Sequence, residues 1–392
     1  MSDSKTVAVL EWGTSKIKVL IAEIVDDEKI NIISQSMIDS GLSIKKGDVI
    51  NVVKTYEKTH EAIRNAENKA SVKLNKISMA LSGTHIKVFK YLTSVKTSAA
   101  NGVVRASDVE TAKKQIREKE LDEGRSYIQQ VRSAYYLDAN LCANPVGKIG
   151  KVTDVEYLMI HGENERILEI INIIHSTGIE LEDMVISGIA SARAVTSAQQ
   201  KADGVLVVDI GAGTTDYAII KNNTYIHAGI IPLGGNHVTN DLALGLHLTP
   251  KTAESVKITS GKLFLSEEEK SKIYWAIGDK QIGDKKILAD SVNKIVYSRV
   301  VEILEILREE TSEYLNKIKE VVITGGVSNT VGICELAERI FGIPCSKGCF
   351  SEDLPKNVRK QSWATLLGML EHVKSQKQKN KAKNRKRRFL LF

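Results

Sequence analysis

Short apolar runs and one long helical pattern fill the first eighty residues of the chain. Residues 7–10 and 17–24 are apolar runs on either side of a glycine turn, and residues 31–36 continue them. Short runs of this kind, bounded by turn residues, predict strands. Residues 51–70 repeat apolar positions along one helical stripe, and residues 77–81 are apolar again. The pattern therefore predicts the order strand, strand, strand, helix, strand.

A second stretch begins in the same way about two hundred residues later. Residues 205–208, 217–220 and 224–230 predict strands, residues 236–246 predict a helix, and residues 320–324 return to the sheet. In both stretches a strand, an acidic residue, a glycine turn with hydroxyls and a second strand follow one another. A repeat of this kind predicts a duplicated unit that holds a ligand between its halves.

The two glycine turns are the strongest candidates for chemistry. The first follows Glu11 and contains Gly13, Thr14, Ser15 and Lys16; the second follows Asp209 and contains Gly211, Gly213, Thr214 and Thr215. A glycine turn directs several N–H groups into one concave space, which suits phosphate oxygens, and Asp209 beside it suits a hydrated Mg²⁺. The alternative is an ordinary hairpin loop. Neither turn has the spacing of a Walker A loop or a Rossmann fingerprint.

The order and spacing of these turns resemble the phosphate 1 and phosphate 2 loops of the actin-like ATPase superfamily. Residues 322–328, Val-Ile-Thr-Gly-Gly-Val-Ser, resemble its adenosine loop. Two further motifs are closer to the FtsA family of bacterial cell-division proteins: Ile-Pro-Leu-Gly-Gly-Asn-His-Val-Thr-Asn-Asp at 231–241 and Leu-Ser-Gly-Thr-His-Ile at 81–86. The resemblance covers about residues 5–372.

The resemblance implies an α/β fold: the actin-like two-domain ATPase fold, with duplicated βββαβα cores and an inserted α+β subdomain, 1C, in place of actin's 1B. In the first half, subdomain 1A is expected at 1–83 and 162–203, with the SHS2-like insert 1C at 84–161 between these two parts. In the second half, subdomain 2A is expected at 204–234 and 318–345, with subdomain 2B at 235–317. Residues 346–373 are expected to return to 1A, followed by a flexible linker at 374–383 and a membrane-targeting segment at 384–392.

The resemblance also implies ATP and Mg²⁺ as cofactors. The residues expected to cradle phosphate are Gly13, Thr14, Ser15, Lys16, Gly211, Gly213, Thr214 and Thr215, with Asp209 contacting Mg²⁺ through water. Gly325, Gly326 and Ser328 are expected near adenine or ribose, and amides beside Gly234 and Gly235 near a phosphate, unless they form a plain strand-to-helix turn. Glu254 and Lys257 share a helix face. Their spacing favours a surface ion pair; the resemblance implies contact with ribose and base.

Three positions depart from the family pattern. Glu11 and Trp12 stand where FtsA proteins usually have Asp-Ile or Asp-Leu, and Val327 stands where a third glycine is common. Glu11 is the candidate catalytic carboxylate. Glutamate is one methylene longer than aspartate, and such a displacement is enough to misplace a water molecule. We therefore expect nucleotide binding with at most slow hydrolysis, in a protein whose role is mainly structural.

Composition argues against a zinc-binding, a disulfide-rich and a membrane-spanning protein. With 42% hydrophobic and 26% charged residues, the 392-residue chain has the composition of an ordinary soluble globular protein. Its four cysteines contain no C-x-x-C pair, so a zinc site or disulfide framework is not expected. No N-terminal segment has the pattern of a signal peptide, and no apolar run approaches the length of a membrane span.

The net charge of +7 originates in the C-terminal tail. Residues 374–392 contain nine Lys or Arg and no acidic residue, so the remaining 46 basic residues nearly balance the 48 acidic ones. Residues 374–383 predict a solvated, flexible linker, with a helix beyond it only if Asn384 caps one. The final residues are four basic and four large apolar ones: Arg385, Lys386, Arg387, Arg388, Phe389, Leu390, Leu391 and Phe392.

Alone, this tail is consistent with a frayed terminus, a basic address or a nucleic-acid contact; the resemblance implies a membrane-targeting segment that binds anionic lipids. The implied function is an FtsA-like protein that binds ATP, polymerises and tethers FtsZ to the cytoplasmic face of the membrane at the division site. The FtsZ C-terminal peptide is expected on residues 235–317 and other division proteins on subdomain 1C, with no nucleic-acid partner.

Three alternatives stay open at this point. The first is another actin-like filament or pilus-assembly ATPase. The second is a sugar or acetate-type kinase of the same superfamily, against which the FtsA-like insert at 84–161 argues. The third is a DnaK-type chaperone, which needs a substrate-binding domain that residues 373–392 are too few to form.

Overall fold

The computed structural model describes residues 4–26, 29–119, 121–278 and 283–389. For residues 4, 380 and 382–389 it describes the backbone alone. The predicted membrane residues Leu390, Leu391 and Phe392 lie outside the described residues.

The strands are, in chain order, β1 (Ser4–Trp12), β2 (Lys16–Val25), β3 (Lys29–Asp39), β4 (Ile44–Lys45), β5 (Asp48–Val49), β6 (Lys76–Leu81), β7 (Lys87–Lys96), β8 (Arg125–Leu137), β9 (Asn140–Cys142), β10 (Val152–Glu163), β11 (Glu180–Ile186), β12 (Val205–Ile210), β13 (Thr215–Lys221), β14 (Thr224–Ile231), β15 (Ile273–Ala276), β16 (Lys285–Leu288), β17 (Glu320–Thr324) and β18 (Cys345–Lys347).

The α-helices are α1 (Val52–Ala70), α2 (Ala106–Arg117), α3 (Asn164–Ser176), α4 (Ser187–Val195), α5 (Ala198–Asp203), α6 (Gly235–Gly245), α7 (Pro250–Ser260), α8 (Glu267–Lys270), α9 (Ala289–Glu310), α10 (Ile333–Phe341) and α11 (Ala364–Phe389). Short 3₁₀ helices cover Ser312–Lys317, Gly326–Asn329 and Gln361–Trp363.

Two five-stranded sheets repeat one topology. The first has the order β3-β2-β1-β6-β11 and the second the order β14-β13-β12-β17-β18. In each, the first three strands of the unit form an antiparallel meander, and the remaining two strands lie parallel to the central one. The duplication expected from the repeated turns is therefore present in the strand order. It places the hairpin β1–β2 and the hairpin β12–β13 at equivalent positions.

Helix α1 shows how local sequence determines these elements. Asn51 caps it, because the Asn51 side chain accepts a hydrogen bond from the Lys54 amide at 2.9 Å. Buried residues such as Thr59 and Ile63 recur on one stripe, and the helix ends at Ser71, which has the left-handed conformation. The buried stripe packs against β2 and β3. The helix thus covers one face of the first sheet, while α4 and α11 pack together and contact strands of that sheet.

The segment between β6 and α3 forms a separate antiparallel sheet, which we call the insert. Its order is β7-β10-β8-β9, and α2 packs against it. Its small core consists of Ala112, Ile116, Val155, Tyr157 and Met159, with Tyr135 packed against them. The chain enters the insert after β6 and leaves it at the end of β10, so both connections lie on the side of the first sheet.

Two elements differ from the sequence expectations. The small-residue content of residues 187–202 predicts one helix, but the structure has two, because Ser197 accepts a hydrogen bond from the Gln200 amide and starts a second helix with its own capping box. Residues 374–383, expected as a flexible linker, belong to α11 (Ala364–Phe389). No Gly or Pro follows residue 368, and Lys, Gln, Arg and Ala favour helix. Asn384 consequently lies within a helix and does not cap one.

Candidate functional site

A cleft of about 480 Å³ lies between the two halves, and both glycine turns line it. Most of the predicted site residues are among its lining residues: Glu11, Gly13, Thr14, Ser15, Lys16, Asp209, Gly211, Gly213, Thr214, Gly235, Glu254, Lys257, Gly325 and Gly326. The structure thus brings together residues that are more than three hundred positions apart in the sequence.

The two turns touch each other at the base of this cleft. A hydrogen bond from the Gly13 amide to the Lys16 carbonyl closes the first at 2.9 Å, and one from the Gly211 amide to the Thr214 carbonyl closes the second at 2.9 Å. A β-carbon added at Gly213 would lie 2.1 Å from Thr14 Oγ1. Only glycine permits this approach, so the contact itself explains the residue type.

Several backbone amides of the turns are free to bind a ligand. Within the described ranges, no hydrogen bond engages the amides of Thr14, Ser15, Ala212 or Gly213. Successive unpaired amides in a tight turn form a concave donor site for an anion. Two such sites, one from each half, face the same cleft.

The predicted residues Thr215, Ser328 and Gly234 support the turns without lining the cleft. Thr215 is buried, and its hydroxyl donates to the Leu233 carbonyl at 2.9 Å. Ser328 is also buried and donates to the Gly325 carbonyl at 2.7 Å. The Gly234 amide donates to Nδ1 of His237 at 3.1 Å.

The amides at the start of α6 were expected to face a phosphate, and the structure uses them differently. The Gly235 amide donates to the Gly211 carbonyl at 2.9 Å, and the Asn236 amide donates to the Ala212 carbonyl at 2.7 Å. Because these donors are already paired, the helix end braces the second glycine turn from behind.

Asp209 is buried at the end of β12. Its Oδ2 accepts hydrogen bonds from the hydroxyls of Ser191 and Thr365, the latter at 3.1 Å. Burial, with the nearby Glu11 carboxylate, raises the pKa of Asp209 to about 6 despite these hydrogen bonds. A divalent cation nearby favours the ionised form. Among the described residues no group of three or more acidic, His or Cys side chains surrounds a metal position. One carboxylate that lines the cleft beside phosphate donors fits a hydrated Mg²⁺ held through water.

Glu11 forms an ion pair with Lys18, its partner in the β1–β2 register, at 3.0 Å. Lys18 Nζ also donates to the Ser362 carbonyl at 2.6 Å. The neighbouring Trp12 is 5% exposed and packs within the core of the first half, which explains how so large a side chain is accommodated at the end of β1. The cleft therefore contains a glutamate that already forms an ion pair with a lysine.

Glu254 and Lys257 form an ion pair at 2.6 Å on α7. Glu254 also accepts from the Thr239 hydroxyl, and Lys257 donates to the Gly235 carbonyl at 3.1 Å. The pair therefore joins α7 to α6 at the wall of the cleft. This arrangement is more than an isolated surface ion pair, and both side chains line the cleft.

Sequence reasoning missed Asp216, Ser82 and Lys18 as residues of this site. Asp216 is buried, and its Oδ2 accepts from Ser82 Oγ at 3.0 Å and from Thr214 Oγ1 at 2.9 Å. Burial, with the nearby Asp209, raises the pKa of Asp216 to about 8. The signal for Asp216 was its position directly after the Gly-Thr-Thr turn, and the signal for Lys18 was its strand register opposite Glu11. Ser82 lies in the motif at 81–86, but no local pattern indicated its partners, which are 132 and 134 positions away in the sequence.

Comparison with known proteins gives consistent matches. A family model described as Cell division protein FtsA matches residues 206–368. Cell division protein FtsA of Neisseria meningitidis serogroup B is 30% identical over 373 residues, which are 93% of this chain and 89% of that protein. Cell division protein FtsA of Escherichia coli K12 is 25% identical over 406 aligned positions, covering 98% of this chain and 94% of that protein.

Solved structures are similar to the whole chain at low sequence identity. The PilM-PilN type IV pilus biogenesis complex matches with a TM-score of 0.67 and 14% identity, covering 92% of this chain and 96% of that chain. MreB 5 of Spiroplasma citri bound to AMPPNP matches with a TM-score of 0.55 and 14% identity, covering 96% and 98%. These likenesses confirm the actin-like ATPase fold expected from the sequence. No helix in the described part of the chain combines the length and apolarity that a membrane crossing needs.

Proposed function

The chain belongs to the FtsA family of cell-division proteins, and we propose that it binds ATP with Mg²⁺ in the cleft, assembles with further copies of itself and tethers FtsZ to the cytoplasmic face of the membrane at the division site. The observation that carries the first step is the contact between the two glycine turns. They arise from equivalent positions in the two halves, both line the cleft, and each has amides that bond to none of the described residues. Phosphate oxygens are the ligands that such donors recognise.

In this proposal the residues of the chain have distinct roles. The amides of Thr14, Ser15, Ala212 and Gly213 hold the phosphates, and Asp209 orients the water of a bound Mg²⁺, which supplies charge neutralisation at the phosphates. Gly325 and Gly326 lie on the adenosine side of the cleft, with Glu254 and Lys257 near the ribose. Glu11 is held by Lys18 and is therefore not free to orient an attacking water, so slow turnover is expected.

An exposed face in the second half suits the FtsZ peptide. Ile273 and Trp275 on β15 and Ile277 just beyond it are exposed, and their spacing of two places them on one face of the β15–β16 hairpin. Leu288, which pairs with Ile273, is also exposed. Apolar side chains that are exposed together mark protein contacts more often than solvent surface. We place the FtsZ peptide within residues 235–317, with this hairpin face as its contact.

Co-sedimentation tests the whole proposal. The full chain, FtsZ, liposomes with anionic lipid and ATP with Mg²⁺ are combined, and each component is omitted in turn. We expect FtsZ to pellet with the liposomes only when this protein is present. Replacing both Trp275 and Ile277 with serine should reduce FtsZ recovery at least about tenfold, since a few apolar anchors dominate such contacts. The matched control is Leu141→Ser, an exposed apolar residue of the insert. Equal loss in both variants would overturn the assignment of this face.

A further inference from the structure

Ser82 occupies the point at which the first half, the second half and the insert meet. It is the first residue after β6, and the chain continues from it through Gly83 and Thr84 into the insert. Ser82 also lines the cleft between the halves. One side chain therefore stands both at the cleft and at the entrance to the insert.

The Ser82 hydroxyl binds the second glycine turn from the opposite half. Ser82 Oγ lies 3.0 Å from Asp216 Oδ2 and 3.0 Å from Thr214 Oγ1, and Thr214 Oγ1 lies 2.9 Å from the same carboxylate oxygen. The Thr214 hydroxyl donates to Asp216, and the single proton of Ser82 Oγ is shared between Thr214 Oγ1 and Asp216 Oδ2 as acceptors. Asp216 Oδ1 is fully buried and accepts from none of the described residues. Asp216 also lines the cleft, so its carboxyl group connects Ser82 to the part of the second glycine turn that faces the ligand space.

The backbone around Ser82 is tightly packed, so a shift of Ser82 moves its neighbours. Gly47 lies against it: a β-carbon at Gly47 would be 2.3 Å from the Ser82 carbonyl oxygen and 2.6 Å from Gly83 Cα. The next residue, Asp48, accepts a hydrogen bond from Thr84 Oγ1 at 2.8 Å. Gly47 also lines the cleft. These contacts leave little slack between Ser82 and the start of the insert.

Arg125 joins the two connections of the insert. Its guanidinium donates to the His85 carbonyl at 2.6 Å, to the His161 carbonyl at 3.1 Å and to His161 Nδ1 at 2.7 Å. His85 lies on the entering connection and His161 on the leaving strand β10, while Arg125 begins β8. A displacement of the entering connection is therefore shared by the leaving one, and the insert moves as one body.

We propose that Ser82 couples occupancy of the cleft to the orientation of the insert. The inference rests on the proposed nucleotide binding. When phosphate binds the second glycine turn, Thr214 and Asp216 change position with the turn. Ser82 follows through its hydrogen bonds, and the connection at 83–85 carries the displacement to the insert. Ser82 is a positioning residue, because it acts through Thr214 and Asp216 and not on the ligand.

Hydrogen exchange measured by mass spectrometry on the full chain tests this coupling, with and without ATP and Mg²⁺. In wild type we expect ATP to change exchange at least about twofold in residues 84–96 and 125–137. Ser82→Ala, compared with wild type at ATP concentrations that saturate each protein, should lose the exchange change in the insert. Ser82→Thr retains the hydroxyl and should restore it. The matched control is Ser133→Ala, a buried serine of β8 whose Oγ has no partner among the described residues.

The outcomes separate the two proposals. Wild type that binds ATP without any exchange change in the insert overturns the coupling and leaves nucleotide binding intact. An undiminished exchange change in Ser82→Ala also overturns it. Absence of ATP binding to wild type overturns the proposed function, and the coupling with it. If Ser82→Ala is too unstable to measure, the wild-type comparison and Ser82→Thr still decide the matter.

Discussion

Lys18 Nζ lies 3.0 Å from Glu11 Oε2, directly across the hairpin that carries the first glycine turn. The side chains of Lys18 and Glu11 are only 11% and 15% exposed, so water screens the pair weakly. The longer glutamate side chain reaches its lysine, whose Nζ is in turn held by the Ser362 carbonyl. The acidic residue of the first turn is therefore committed to a structural contact at the cleft wall.

From this relationship we predict that Glu11→Asp hydrolyses ATP faster than wild type. The shorter side chain loosens the pair with Lys18 and frees a carboxylate to orient water. Wild type should turn over well below about 10 per second, a typical enzyme rate. Phosphate release measured at saturating ATP checks both statements. Glu11→Gln, which keeps the length and removes the charge, is the control and should not exceed wild type. A wild-type rate typical of metabolic kinases would contradict the idea.

Contact between the two turns leads to a second prediction. Gly213→Val should abolish ATP binding, because its side chain enters the space of Thr14 and separates the turns. Isothermal titration calorimetry on the folded variant measures this directly. The control is Gly283→Ala, where an added β-carbon meets nothing within 4 Å. Unchanged affinity in Gly213→Val would remove the basis for placing phosphates between the turns.

The sequence predicted what depends on local pattern. Gly13, Gly211 and their neighbours were found because a glycine turn between strands has a recognisable spacing, and the duplication made the two turns equivalent. The hydrogen bond of the Gly235 amide could not be predicted, because it depends on which carbonyl of the second turn lies next to α6. The role of Ser82 could not be predicted for the same reason: it arises from hydrogen bonds between the two halves, and no local pattern encodes them.

The predicted helix boundaries were wrong where two competing sequence signals were close in strength. At Ser197 a capping box starts α5 within residues 187–202, whose small-residue content alone predicts one continuous helix. In the tail, the charge density of residues 374–383 suggested a solvated linker, yet their individual propensities favour helix and α11 continues through them. Neither difference alters the cleft, because the glycine turns belong to the sheets.

Asp216 makes stability depend on pH in a defined window. Its pKa is raised from 3.8 to about 8, so between these values the folded state holds a proton that the unfolded state releases. Unfolding free energy from this group therefore falls as pH rises, by at most about 1.4 kcal/mol per pH unit. Asp209 acts in the same direction only up to about pH 6. The half-buried His227, whose pKa is lowered to about 4, acts in the opposite direction below pH 6.5, as do His85, His161 and His237, whose pKa values are also lowered by burial. Between pH 6.5 and 8 the contribution of Asp216 persists, while those of Asp209 and the histidines fade.

We predict that the melting temperature of wild type falls between pH 6.5 and 8 more steeply than that of Asp216→Asn. The amide keeps the size of the carboxyl group and accepts from Ser82 and Thr214 without ionising. Differential scanning calorimetry of both proteins, without nucleotide, gives the two slopes. Parallel slopes would show that Asp216 ionises normally in the folded protein.

The final prediction concerns residues 385–392, where four basic residues precede Phe389, Leu390, Leu391 and Phe392. Backbone helix extends through Phe389, and residues 374–389 span about 24 Å at helical rise, so the basic residues 385–388 lie on a helix. Full burial of four such side chains contributes at most roughly 6–12 kcal/mol, and partial burial at a membrane surface much less. Each basic residue near anionic lipid adds about 1 kcal/mol. A single copy should therefore bind reversibly, and assembled copies should bind firmly through avidity.

We expect wild type to co-sediment with anionic liposomes, more strongly at low salt, and deletion of residues 389–392 to release it while leaving ATP binding unchanged. Equal sedimentation of the truncated protein would show that the anchor lies elsewhere, and a tail that retains DNA but not lipid would favour a nucleic-acid role.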